Sequence, residues 1–174
     1  MRIKKIYQGE LPENKILNTE STSQTDTYSC DYINKVNACA TATITENTTA
    51  SNTVQKIPLT DIVTDSDLLT LSDGGIRIGA GINKVLVSAN VRFYTLPTSA
   101  LGSREATIYK NSTVITRAIE TKTLDLQNYV TCPIPPVLIE VSEGDVIYLH
   151  SYSVQTDEEV SSSANETRLT VEVK

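Results

Sequence analysis

The chain has 174 residues and a formal net charge of −6, with no Trp, one Phe and one His. That length bounds it to one ordinary domain with an appendage. The acidic balance excludes a phosphate-binding surface as its main role, because nucleic-acid binders carry a basic patch. Its 24 threonines, with many Val and Ile, suit pleated, half-buried surfaces, so an all-β fold is expected. With Phe93 the single Phe, the core is expected to be mostly aliphatic, with Tyr as its main large residue.

Residues 1–25 read as an extended anchor. Ile3, Ile6, Tyr7 and Leu11 are apolar but follow no sustained period, and Gly9 and Pro12 break any helix. The basic cluster Arg2, Lys4 and Lys5 is too small for more than a local contact. Gln8, Gly9 and Glu10 interrupt the apolar core that a secretory signal needs. Synthesis and retention in a cytoplasm are therefore expected. No stretch reaches the ~18 apolar residues of a membrane span, so no membrane insertion is expected.

Residues 26–40 read as a short neck helix. Tyr28, Tyr32 and Val36 recur at four-residue steps, and Thr25 or Asp26 can cap the start. So short a helix is marginal alone in water, and a coiled neck between identical chains would cover its stripe. Residues 41–55, rich in Ala, Thr, Asn and Ser, read as a polar spacer. A chain starting near Thr41 is accordingly expected to keep its head and lose its anchor.

From Lys56 to Lys174 the pattern is strand, turn, strand. Val85, Val87, Ala89, Val91 and Phe93 occupy one face of a long strand. Residues 106–110 and 113–119 flank Asn111-Ser112, a two-residue hairpin signal. Residues 137–141 and 146–151 flank Glu143-Gly144-Asp145, where Gly144 supplies positive φ and Asp145 can bond nearby backbone. Leu169, Val171 and Val173 form a last strand, which is expected to pair inside a sheet. Asp73-Gly74-Gly75 and Gly79-Ala80-Gly81 read as turns. Short strands at this spacing indicate a sandwich or barrel.

Few residues offer chemistry. His150 falls in a strand, and its neighbours Ser151 and Ser153 point to the opposite face, so no nucleophile pair is expected. Asp65-Ser-Asp67 lacks the other positions of a calcium loop, and Asp61 and Asp73 read as turn carboxylates. Cys30, Cys39 and Cys132 have no metal spacing and read as free thiols. No catalytic, cofactor or metal residue is expected. The Asn47-Thr-Thr, Asn111-Ser-Thr and Asn165-Glu-Thr matches to the glycosylation pattern are expected to be chance.

Three stretches carry a family likeness. Gly81 to Val91, Ala106 to Ile119 and Val137 to Leu149 resemble, in order and spacing, the globular head of complement subcomponent one-q and the wider tumour necrosis factor-like jelly rolls. Aliphatics stand at Val85 and Val87 where that family has aromatics. The resemblance implies a jelly-roll β-sandwich head over 56–174 that assembles as a homotrimer. Glu13 to Asn18 and Asp26 to Asn34 resemble a segment of fibre proteins in phages of Gram-positive bacteria. Together these resemblances imply a non-enzymatic virion protein, a head fibre or decoration knob joined by its N-terminus to a capsid or tail protein. Its host-side partner would be a cell-surface saccharide or protein. The other implied readings are a tail-tip receptor-binding protein and a cellular trimeric ligand of the same fold.

Overall fold

A computed structural model describes residues 38–94, 102–122, 128–155, 158–163 and 166–174. Thirteen strands build two antiparallel sheets: β1 (Cys39–Thr43), β2 (Thr48–Thr49), β3 (Gln55–Lys56), β4 (Asp61–Thr64), β5 (Leu69–Ser72), β6 (Gly75–Ile78), β7 (Lys84–Tyr94), β8 (Gly102–Lys110), β9 (Thr113–Lys122), β10 (Tyr129–Glu140), β11 (Val146–Ser153), β12 (Glu159–Val160) and β13 (Arg168–Val173). In the first sheet β4, β1, β13, β7 and β10 lie side by side. The short β12 and β2 extend from the Phe93–Tyr94 end of β7. The second sheet runs β5-β6-β11-β8-β9, with β3 against β11. The expected all-β jelly-roll sandwich is what the chain forms.

The period-two strands behave as their sequences dictate. Val85, Val87, Val91 and Phe93 of β7 pack against Leu169 and Val171 of β13 and against Ile108, Ile147 and Leu149 of the second sheet, all buried. Asn111 takes positive φ in the β8–β9 hairpin, and Gly144 does so in the turn before β11. Asp145 accepts the Ser142 N–H at 2.9 Å and the Asn111 amide at 2.8 Å. Burial pushes its carboxyl up, but these bonds and nearby Lys110 outweigh burial and hold it below the usual range.

Two expectations need correction. β1, which lies between β13 and β4, straddles the two assigned segments: its Thr41–Thr43 part falls in the spacer assigned to 41–55, and its Cys39–Ala40 part in the neck helix assigned to 26–40. Ala40 and Ala42 are fully buried opposite Val171 and Leu169, with Thr41 and Thr43 on the other face. The alternation of Ala and Thr is a strand period written in small residues. The head therefore starts near Ala38, not at 56. The rest of the neck helix lies outside the described residues.

The second correction concerns Tyr. The described tyrosines all stand on outward faces, where their hydroxyls reach solvent or polar partners, and the core cluster contains only aliphatics, Cys132 and Phe93. The largest fully buried side chain is instead Arg104, paired with Glu158, which is equally buried. Arg104 Nε donates to Glu158 at 2.9 Å, and the Ser153 hydroxyl donates to the same carboxylate at 2.7 Å. Among the described thiols, Cys132 is buried and its pKa is pushed up by desolvation to about 12. Iodoacetamide with peptide mass mapping should therefore leave Cys132 unmodified at pH 8 until denaturant unfolds the head.

The strand directions give the head two unlike poles. At one, the Val173 N–H donates to Ala38 at 2.8 Å and the Lys174 N–H to Lys84 at 3.1 Å, while Val141 reaches Asn83 and Asn111 reaches Val146. The chain thus enters and ends beside the tight turns. At the other pole Tyr94 faces Tyr129 and Glu159, and Gly102 faces Lys122. The strand ends Tyr94, Gly102, Lys122 and Tyr129 therefore lie together there.

Candidate functional site

Each sheet keeps one face off the core, and the two open faces differ in chemistry. On the first sheet, register aligns Thr41, Thr170 and Ser88 across its centre. The Thr41 and Thr170 hydroxyls lie 3.1 Å apart. Leu86 and Leu138 are partners on β7 and β10, and Leu138 is 56% exposed; Val63, beside Thr41, is 74% exposed. Towards the loop pole the Tyr94 and Tyr129 rings meet at 5.3 Å, with the Arg92 guanidinium 3.6 Å over Tyr129 and paired to Glu166. Charged residues border these positions: Lys84 partners Glu140, and Glu172, paired with Lys174, lies opposite Leu86. A patch of small hydroxyl and apolar side chains bordered by charge is the anatomy of a protein–protein interface.

The open face of the second sheet is aromatic and polar. Tyr148, His150 and Tyr152 alternate along β11, and Tyr109 of β8 sits opposite Tyr148. The Tyr109 ring stacks on His150 at 4.1 Å and 31°. Burial, and then the Lys56 ammonium, lower the His150 pKa from 6.5, so the imidazole is neutral at pH 7. Ser151 and Ser153 face the core, as the alternation requires, so the geometry separates them from His150.

The carboxylates serve the scaffold. Asp61 accepts the Ile62 N–H at 3.0 Å, Asp65 accepts the Cys39 N–H at 2.7 Å, and Asp73 pairs with Lys56 at 2.8 Å. Among the described residues no three His, Cys, Asp or Glu side chains converge as a metal site would need. Asn47 bonds Glu159 and the Ser162 N–H, and Asn111 is held by Asp145 and Val146, so both amides are occupied within the fold. The anchor residues Ile3, Ile6, Tyr7 and Leu11 and the neck residues Tyr28, Tyr32 and Val36 lie outside the described residues. Sequence reasoning missed both open faces. The signal for the first was Leu86 and Leu138, apolar residues out of phase with the core positions of their strands; for the second it was Tyr148 and Tyr152 in phase with His150.

No protein-family model matches the chain, and no curated protein matches it. Solved structures do. Murine APRIL at pH 5.0 superposes with a TM-score of 0.61 at 13% identity, covering 79% of this chain and 99% of that one. Eiger TNF from S. frugiperda gives 0.56 at 8% identity, with 79% and 91% covered. The fold is thus a tumour necrosis factor-like jelly roll.

Proposed function

We propose that the chain is a non-enzymatic virion protein: a homotrimeric head fibre or decoration knob that an N-terminal anchor holds on a phage particle and that contacts the host surface. The carrying observation is the polarity of the head. The described head begins at Ala38, beside Lys174, and the strand ends Tyr94, Gly102, Lys122 and Tyr129 lie at the opposite pole. A knob anchored through its N-terminus would present that opposite pole outward. The first sheet's open face supplies a surface for self-association, and the resemblance of Glu13 to Asn34 to phage fibre segments supports the anchor. A cellular trimeric ligand is the second reading, favoured by the fold's likeness to APRIL and Eiger.

Incorporation tests the proposal. Because β1 begins at Cys39, a truncation must stop before Ala38 to spare the sheet. Virions made with a chain starting at Ala38 should lose the protein, although the purified truncation remains folded by circular dichroism. Normal incorporation of that truncation would rule the anchor out. Gold labelling of the full chain on intact particles separates head from tail-tip placement, and labelling of no particle favours the cellular ligand.

A further inference from the structure

The aromatic face of the second sheet lies on the other side of the sandwich from the self-association face proposed above. Tyr148, His150 and Tyr152 stand two residues apart on β11, a step of roughly 6.6–6.8 Å. Tyr148 and His150 are held before any ligand arrives. Tyr148 lies over Gly75, where an added Cβ would come within 2.7 Å of its Cδ1. Its hydroxyl is 3.4 Å from Asp73, and the Lys56 ammonium is 4.9 Å from its centroid. Tyr109 and His150 brace each other by stacking. Rings fixed in advance lose little rotamer freedom on binding.

Most of the ions around the rings are paired; Arg77, opposite Val146, has no ion pair among the described residues. Lys56 holds Asp73 at 2.8 Å, Arg117 lies 3.7 Å from Glu105, and the Thr107 hydroxyl donates to Glu105 at 2.8 Å. Both flanks therefore offer donors and acceptors without a field of one sign. A phosphorylated or strongly basic partner needs a cluster of unpaired opposite charge, and Arg77 alone does not make one. A neutral polyhydroxylated chain matches it: its C–H faces can lie on the rings and its hydroxyls can reach the paired ions.

We propose that this strip binds a neutral saccharide chain laid along β11, with Tyr148 and Tyr152 as stacking platforms and Lys56, Glu105 and Arg117 as hydroxyl partners. The proposal rests on the adhesive half of the function above and gives it a ligand class. Calorimetry on the full chain tests it, with hexamers of glucose, galactose and N-acetylglucosamine as probes and polyphosphate and polylysine as charged controls. At least one neutral hexamer should bind saturably, with a Kd of roughly millimolar or tighter. Tyr148→Ala and Tyr152→Ala should each weaken it about tenfold, the worth of one aromatic contact. Glu105→Gln, which preserves shape, should also weaken it, and near-UV circular dichroism of each variant should match the parent. Binding of charged polymers alone, no binding by any neutral hexamer, or binding untouched by both Tyr variants overturns the proposal. Incorporation of the same protein into particles is scored separately, so failure of the strip and failure of the virion reading are distinguishable.

Discussion

Glu158→Ala is expected to cost the head about 3–5 kcal/mol, the usual penalty for leaving one member of a buried ion pair alone. Glu158 and Arg104 are both fully buried, and the carboxylate also accepts from Ser153. Its removal would strand a guanidinium and a hydroxyl where water does not reach. For a domain of this size that loss corresponds to a fall in Tm of roughly 10 °C. Urea unfolding followed by circular dichroism measures it; a loss below about 1 kcal/mol would show the pair to be dispensable.

The same pair explains how the loop pole is held. Ala50 donates its N–H to the Glu158 backbone carbonyl and Ser153 donates its own to the Ser51 carbonyl, each within 2.9 Å, while Arg104 of β8 and the Ser153 hydroxyl of β11 meet at the Glu158 carboxylate. Joint replacement of Arg104 by Met and Glu158 by Leu removes both charges and fills the space. It should restore most of the stability lost in the single variant, because an apolar pair has no desolvation penalty. The contrast between single and joint replacement separates a buried charge left alone from simple loss of packing.

The long strands were legible because their core residues recur every second position and Asn or Gly marks the turns between them. β7, the β8–β9 hairpin and β13 follow from that rule alone. β1 was hidden because Ala40 and Ala42 are small, and composition read the segment as low-complexity spacer. The Arg104–Glu158 pair was hidden for a different reason. Its members lie 54 positions apart, and only the register of β8 on β11 brings them together. The tyrosines were misplaced because composition counts large residues without saying which face of a strand they occupy. Leu86 and Leu138 did carry a readable signal: a strand that is apolar on its off-phase positions has a second surface to bury.

That second surface gives the other large expected effect. Leu138→Asp should convert the proposed homotrimer into monomer at micromolar concentration without unfolding the head. Leu138 is 56% exposed on the open face of the first sheet and partners Leu86 across β10 and β7, so a carboxylate there does not disturb the core. In an interface it would place an unpaired charge between apolar side chains, costing at least about 2 kcal/mol per contact, or roughly thirtyfold in Kd. Val114→Asp is the matched comparison: Val114 is 51% exposed, but on the second sheet. Light scattering during size-exclusion chromatography should report three chains for the parent and for Val114→Asp, and one chain for Leu138→Asp. The opposite pattern would assign the interface to the second sheet. It would also cover the Tyr148–Tyr152 strip, so this measurement decides which open face meets a second copy and which remains free for a ligand.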